Sequence, residues 1–229
     1  MTGSKRVREL SHTEMLVLAV DTCLGACSAA LVRGGLTLAA LSEPMTRGHQ
    51  ERLAPMVREL MAGAQAPFSA LDRIGVTVGP GSFTGLRVGL AFAKGLGLAL
   101  GKPVVGVGVL HALAAAAAPA GPAAAVIDAG RGRVYLQLFE GAEPLGAPDV
   151  LASDEALARL VQAFPDGDFT LCGPGAALLA PTWPAARLAA SDVPDPVVVA
   201  RLAAAGPPGP ATPLYLRPPD AIPKAQRPA

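Results

Sequence analysis

The stretch IGVTVGPGSFTGLRVGLAFAKGLGLAL, Ile74–Leu100, decides how this chain folds. Its apolar start, Ile74–Val78, predicts a short buried strand, and the glycine-rich turn Gly79–Gly85 leads from that strand into a long helix. Ser82 or Thr84 is placed to cap the helix with a side-chain oxygen. A strand–turn–helix of this kind directs free backbone N–H groups at one point, an arrangement that suits an anion.

The predicted helix has three faces of different character. An apolar row is typical of a core face and contains Val88, Phe92, Leu96 and Ala99. A row of small residues contains Gly85, Gly89, Ala93 and Gly97. A sparsely charged row contains Arg87, Ala91, Lys94 and Leu98. Glycine inside a helix costs about 1 kcal/mol against alanine, so the small row indicates a close approach. Two interpretations stay open: a helix packed tightly on its own sheet, or a helix packed on both sides, one of which meets a partner.

Composition and charge argue against several classes of protein. The net charge of +1 over 229 residues offers no electrostatic basis for binding nucleic acid unaided. The cysteines are Cys23, Cys27 and Cys172, an odd set without a CxxC pair, which favours a reducing compartment over a disulfide framework. The sequence contains no HxxxH or HExxH pair, so we expect no metal site. The apolar run Leu90–Leu100 is interrupted by Lys94 and is too short to predict a membrane span.

The order of the predicted elements repeats along the chain. Three strands open it as a meander, an amphipathic helix follows at His49–Met61, and the central strand, the long helix and a further short strand complete the first half. VDTCLG around Asp21 and IDAGRG around Asp128 then share the pattern apolar–Asp–x–x–x–Gly between two strands, 128 − 21 = 107 residues apart. This internal echo predicts a duplicated fold.

Asp21 and Asp128 allow two roles. Equivalent aspartates of a duplicated fold can bracket a cleft and hold a Mg-nucleotide, whereas an aspartate before a glycine turn also caps that turn. We favour the capping role, because the second half is short of helices and lacks a long Gly-Gly segment. Ser82 lies in GPGSFTG rather than in GxSxG, and no His and Asp pair accompanies it, so nucleophilic catalysis is not predicted.

Several segments together closely resemble the bacterial TsaB (YeaZ) family. They are VLAVDT, RGHQERLAPMVREL, GPGSFTGLRVGLAFAKGLGLAL, VIDAGRGRVY and PLYLR. The likeness runs from Met15 to about Arg217, and the block GPGSFTGxRxG is its most specific part. The resemblance implies a duplicated α/β fold of the actin/Hsp70/sugar-kinase (ASKHA) type, with two subdomains whose central mixed sheets are flanked by helices. Its subdomains would be 15–110 and 111–217, with flexible tails at 1–14 and 218–229.

The resemblance also implies a function. It implies a non-catalytic, cytoplasmic subunit that binds TsaD, together with TsaE, for threonylcarbamoylation of the tRNA adenosine adjacent to the anticodon. Transfer RNA would bind only through the complex, a homodimer would form in isolation, and no membrane would take part. No intrinsic cofactor or metal is implied, although ATP or ADP could bind at the interface of the assembled complex. The alternative is a small-molecule kinase or ATPase of the same fold that uses Asp21 and Asp128.

Members of this family pair through their first two helices, which correspond here to His49–Met61 and Thr84–Leu100. The interface residues implied in this way are His49, Arg52, Leu53, Met56, Arg87, Leu90, Ala91, Lys94 and Leu98. The residues implied for a vestigial nucleotide cleft are Asp21, Gly79, Gly81, Ser82 and Asp128.

Overall fold

Two β-sheets with related strand topology form the framework of the protein. The computed structural model describes residues 14–117, 120–183, 186–189, 191–207 and 211–217. The first sheet is built in the order β3-β2-β1-β4-β5 from β1 (Leu16–Asp21), β2 (Ala26–Arg33), β3 (Leu36–Pro44), β4 (Arg73–Thr77) and β5 (Val104–Val107). The strand β1 is antiparallel to β2 and parallel to β4, and it is buried along its whole length.

The second sheet repeats this arrangement. Its order is β11-β10-β6-β7-β8, with β9 paired to β7, and it is built from β6 (Pro122–Gly130), β7 (Arg133–Glu140), β8 (Glu143–Pro144), β9 (Asp149–Ala152), β10 (Thr170–Cys172) and β11 (Arg187–Ala189). The strand β6 is antiparallel to β7 and parallel to β10, as β1 is to β2 and β4.

The helices follow the same duplication. They are α1 (His49–Gly63), α2 (Phe83–Leu100), α3 (Val109–Ala117), α4 (Ser153–Ala163), α5 (Ala176–Leu179) and α6 (Pro196–Ala205). Short 3-10 turns lie at Phe68–Ala70 and Ala180–Thr182. Each half therefore runs strand, strand, strand, helix, strand, helix, strand, helix, with β9 as an addition in the second half. The duplicated α/β fold expected from the two aspartate turns is confirmed.

The last helix of each half packs on the sheet of the other half. Helix α3 contacts β6, β7 and β10, whereas α6 contacts β1, β2 and β4. Arg73 on β4 fixes the end of α6, because its Nη1 donates to the carbonyl oxygens of Ala203 at 2.7 Å and Gly206 at 2.7 Å. This exchange of helices differs from the expected subdomains 15–110 and 111–217. Residues 196–205 pack on the first sheet, although they follow the second sheet in the chain. The predicted tails, 218–229 and 1–14 except Glu14, lie outside the described residues.

The face of α2 that packs on the sheet is the small row. Gly85, Gly89, Ala93 and Gly97 are buried, together with Leu86 and Leu90. A Cβ atom on Gly89 would lie 2.7 Å from Thr22 Oγ1, and one on Gly97 would lie 2.4 Å from Val104 Cγ2. The predicted core row was wrong in part, because Val88, Phe92 and Leu96 are only half-buried and Ala99 is exposed. The helix lies so close to its sheet that larger residues fit only at the flanks of the contact.

The sequence predicts an edge strand at 214–217 and an irregular region at 181–194, and the structure differs in both. Leu214–Arg217 forms no strand, although Leu214 N donates to Val78 O at 2.7 Å. Pro213 precedes it and has no N–H group to extend a ladder. The region 181–194, expected to be irregular, contains β11, which pairs parallel to β10 over three residues. A strand of that length carries too little alternation to be recognised from its sequence.

Helix α2 is long and apolar enough to cross a membrane by length and composition. The run Leu90–Leu100, on which the expectation from the sequence rested, is too short by itself. Helix α2 has 18 residues with a hydropathy of 1.3, and among the described residues it is the one helix that passes this test of length and composition. Core helices of soluble proteins pass the same test. Its glycine face packs against the first sheet, which accounts for part of that apolar character.

Candidate functional site

The glycine turn before α2 lies directly on the turn between β1 and β2. Ser82 N donates to Cys23 O at 2.7 Å, and Ser82 Oγ accepts from Gly85 N at 3.2 Å as the N-cap of α2. A Cβ atom on Gly81 would lie 2.3 Å from Cys23 O, and one on Gly85 would lie 2.0 Å from Thr22 O. The predicted capping role of Ser82 is therefore confirmed. The glycines are required here because backbone packs on backbone.

Asp21 is fully buried beneath this turn. Its Oδ1 accepts from Thr77 Oγ1 at 2.5 Å and from Cys23 N at 3.1 Å, while its Oδ2 has no hydrogen-bond partner. Burial raises the pKa of this carboxyl from 3.8 to about 6, against the lowering effect of the hydrogen bond from Thr77. Burial also raises the pKa of the Cys23 thiol, and the negative charge of Asp21 adds to that shift.

We expect Asp21→Asn to flatten the pH dependence of folding stability. Because the folded pKa of about 6 lies above the unfolded value of 3.8, the native state holds the extra proton between these pH values. The stability from this group is fully present below pH 3.8 and is lost as the pH rises through about 6. The loss is on the order of 3 kcal/mol. Urea denaturation of both proteins at pH 4, 5, 6 and 7 measures the difference, and parallel curves for the two proteins would contradict the prediction.

Asp128 lies at the equivalent turn but in a different environment. It is exposed, and its Oδ1 accepts from Gly130 N at 2.7 Å, so it caps its own turn. It lines a cleft of about 340 Å³ between the halves, with Gly81, Ser82, Tyr135 and other residues, whereas Asp21 does not line that cleft. Both aspartates cap their turns, as the favoured interpretation held. The predicted pairing of two aspartates across the cleft is corrected, because the glycine turn covers Asp21.

The cleft does not fit a Mg-nucleotide of the kind that the fold family implies. Among the described lining residues, Asp128 supplies the single carboxylate, and Asp21 is sealed off. Within the part of the chain that the structure describes, no group of three His, Cys, Asp or Glu side chains could hold a metal ion. Gly79 is buried beside the cleft and is absent from its lining, so the predicted nucleotide set is not brought together.

An exposed face is formed by α1 and α2. Arg87, Ala91, Lys94 and Leu98 are exposed along α2, and Leu98 keeps 87% of its side chain accessible. Between the two helices lies a groove of about 500 Å³, open to solvent. Its lining comprises Gln50, Leu53, Ala54, Phe83, Thr84, Arg87, Val88, Ala91 and Phe92. We call this exposed row of α2 with the groove the docking face.

Four of the residues predicted for an interface are buried within the chain. Leu53, Met56, Leu90 and His49 are buried, since their side chains face the body of the chain. Leu53 still reaches the floor of the groove. These four correct the predicted set, because α1 turns its regular apolar residues toward the body of the chain and Leu90 lies beside the buried small row of α2. The interface role of the four exposed residues of α2, Arg87, Ala91, Lys94 and Leu98, stays a prediction.

Arg52, the remaining predicted interface residue, ties α1 to the edge of the first sheet. Its Nε donates to Glu43 Oε2 at 2.7 Å, and its Nη2 donates to Glu59 Oε2 at 2.8 Å. The hydrogen bonds from Arg52 hold the pKa values of both carboxyl groups below their usual range. The guanidinium is therefore already engaged within the chain.

Two aromatic residues that contact Arg87 of the docking face, Phe83 and Tyr215, were missed by sequence reasoning. Arg87 places its guanidinium carbon 3.7 Å from the ring centroid of Phe83, and its Nε donates to Tyr215 Oη at 3.2 Å. The two rings lie 5.3 Å apart between centroids. With 4% aromatic residues in the chain, an aromatic in each of GPGSFTG and PLYLR was a usable signal. Their approach depends on the tertiary fold.

Comparison with known proteins agrees with this geometry. A family model described as TsaD, tRNA N6-adenosine threonylcarbamoyltransferase, matches residues 42–168. An uncharacterized protein of Mycobacterium tuberculosis is 39% identical over 218 residues, covering 91% of this chain and 95% of that protein. The Escherichia coli tRNA threonylcarbamoyladenosine biosynthesis protein TsaB is 38% identical over 124 residues, covering 53% of each.

A solved structure extends the likeness to nearly the whole fold. YeaZ from Pseudomonas aeruginosa superimposes with a TM-score of 0.72 at 30% identity, covering 88% of this chain and 100% of that chain. Sequence and fold therefore agree, and the chain belongs to the TsaD family described by that model and, within it, to the TsaB (YeaZ) proteins.

Proposed function

We propose that this chain is a non-catalytic subunit that binds TsaD, with TsaE, during threonylcarbamoylation of the tRNA adenosine adjacent to the anticodon. The proposal is supported by the kinship with a protein named for threonylcarbamoyladenosine biosynthesis and with the threonylcarbamoyltransferase family. The activity would belong to TsaD, and this chain would support it by binding. We further propose that the chain acts in the cytoplasm and forms a homodimer when TsaD is absent.

The observation that carries the proposal is the open groove between α1 and α2. The groove has a volume of about 500 Å³ and is lined largely by apolar residues such as Leu53, Val88 and Phe92, and Leu98, farther along α2, is 87% exposed. A concave apolar surface left open between two helices is typical of a binding face. Two helices from each of two chains could pack here as a four-helix interface.

The geometry gives less support to a kinase or ATPase. Asp21 is sealed beneath the glycine turn, Asp128 caps its own turn, and Ser82 caps α2. If ATP or ADP takes part, we propose that it binds at an interface of the assembled complex. Calorimetry with Mg-ATP checks this: the isolated chain should show weak or no binding, and tight binding would favour the kinase.

Reconstitution of the modification reaction tests the proposed function. TsaD and TsaE are incubated with unmodified tRNA and with TsaC, the protein that makes threonylcarbamoyl-AMP in this family, in the presence and absence of this chain. We expect modified adenosine to accumulate at least about tenfold faster when the chain is present, since an activating subunit acts by stabilising the competent state of its partner. At a net charge of +1, the chain alone should retain little tRNA. Equal rates with and without the chain would reject the proposal.

A further inference from the structure

The C-terminal segment 211–217, which we call the strap, joins the two halves next to the docking face. Leu214 N donates to Val78 O at 2.7 Å at the end of β4, and Ala211 is 2% exposed. On the other side, Arg217 Nη1 donates to the carbonyl oxygen of Ala129 in β6. The strap is therefore tied to both sheets.

The first half makes room for the strap through two glycines. A Cβ atom on Gly79 would lie 3.0 Å from Leu214 O, and one on Gly106 would lie 3.3 Å from the Cα atom of Ala211. Such distances between a side chain and backbone are tighter than ordinary van der Waals contact. Backbone packing therefore sets the path of the strap, and with it the position of Tyr215.

Tyr215 and Phe83 together restrain the exposed guanidinium of Arg87. The guanidinium lies over the Phe83 ring at 3.7 Å, and Tyr215 Oη accepts from its Nε at 3.2 Å. The two Nη groups of Arg87 have no hydrogen-bond partner among the described residues. An arginine held by its ring contact and its Nε presents a fixed pair of Nη donors, which matches a carboxylate in bidentate geometry.

We propose that Arg87 binds a carboxylate of docked TsaD and that Tyr215 is the positioning residue that orients it. This inference rests on the proposed function and adds the chemistry of the contact. The charges exposed on this face of α2, Arg87 and Lys94, are both positive. Two copies of the chain docked through α2 would bring like charges together, so the proposed homodimer would be the weaker complex, whereas an acidic partner helix would neutralise these charges. The strap thus supplies part of the docking face from the far end of the sequence.

A double-mutant cycle on TsaD binding tests this inference. Titration calorimetry measures the affinity of TsaD for the wild type, Arg87→Ala, Tyr215→Ala and the double variant. We expect Arg87→Ala to weaken binding about 30-fold, as for truncation of one partner in a desolvated charge pair, and Tyr215→Ala about tenfold. The double variant should bind as Arg87→Ala does, because Tyr215 acts through Arg87. Tyr215→Phe should lose less than Tyr215→Ala, and Arg87→Lys should bind nearly as weakly as Arg87→Ala.

Controls separate the inference from the function on which it rests. Leu178→Ala, at an exposed apolar residue of α5 in the other half, should bind like the wild type, and thermal unfolding checks that each variant is folded. Additive losses of TsaD affinity in the cycle, or an unchanged affinity for folded Tyr215→Ala, would overturn the inference. The proposed function would still stand in that case, provided that the wild type binds TsaD. No wild-type binding to TsaD would overturn both. If sedimentation shows that Arg87→Ala removes homodimers and leaves TsaD affinity unchanged, the occupant is a second copy, and the proposal is wrong.

Discussion

Replacing Leu98 by aspartate is expected to abolish binding to TsaD and to leave the chain folded. The Leu98 side chain is 87% exposed, so the isolated protein loses little burial when it is removed. In the docked complex the new carboxylate would lose its water against an apolar surface, which costs far more. We expect the affinity to fall at least about 100-fold. Co-purification with TsaD and titration calorimetry measure the loss.

The position of Leu98 in the last turn of α2 calls for a matched control. An aspartate near a helix C-terminus opposes the helix dipole and costs about 0.5 kcal/mol by itself. Leu98→Lys has the favourable sign there, so it should keep the helix intact and still lose TsaD. Leu178→Asp, on an exposed apolar residue of the other half, should bind normally. Ala91→Trp should block docking by its size. Normal co-purification of folded Leu98→Asp or Ala91→Trp counts against the docking face.

Gly85→Ala is expected to destabilise the fold more than any other single methyl added to α2. The new Cβ would lie 2.0 Å from Thr22 O, a backbone atom of the turn after β1. The helix would have to move away from its sheet, and the Ser82 cap and the covering of Asp21 would be disturbed with it. We expect a loss of about 3 kcal/mol or more, the upper range for overpacking a core. Urea denaturation at pH 7 measures this free energy of unfolding.

The same helix provides an internal control. Gly95 is exposed, and a Cβ atom built there meets nothing within 4 Å. Gly95→Ala should therefore stabilise the protein by up to about 1 kcal/mol, the difference in helix propensity. Both substitutions add one methyl group to α2. We expect Gly85→Ala to lower the free energy of unfolding and Gly95→Ala to raise it. A similar effect of both on stability would contradict the packing described for α2.

The rows of α2 show where sequence reasoning fell short. The spacing of four residues identified Gly85, Gly89, Ala93 and Gly97 as a surface of close approach, and it left open whether a sheet or a partner approaches. The hydrophobic pattern then placed the row of Val88, Phe92 and Leu96 in the core. A hydrophobic pattern favours large apolar side chains and carries no information on how closely two backbones approach. The contact of Gly89 with Thr22 joins segments that lie far apart in the chain. Periodicity carries no information about that separation.

The aspartate turns show the complementary case. The shared pattern around Asp21 and Asp128 correctly predicted a duplication, since both lie near the end of a central strand and both cap a turn. The pattern could not show that one side chain is buried and the other exposed. In the first half the glycine turn packs on Thr22 and Cys23, and Asp21 is fully buried. The equivalent turn of the second half packs on the backbone of residues 126–128 through Gly173 and Gly175, and it leaves the Asp128 side chain exposed.

The sequence by itself determined the duplicated α/β fold and the family, and it identified the helix on which we propose the docking face, because the order of the elements, turn chemistry and the GPGSFTG block can be read locally. The tertiary structure alone decided which side of α2 is exposed, that α3 and α6 exchange sheets, and that Tyr215 meets Arg87. Most of these features depend on contacts between segments that lie far apart in the chain, such as Tyr215 and Arg87, separated by 128 positions. Side-chain periodicity indicates which face of a segment can be buried. Only the folded chain shows which other segment packs against that face.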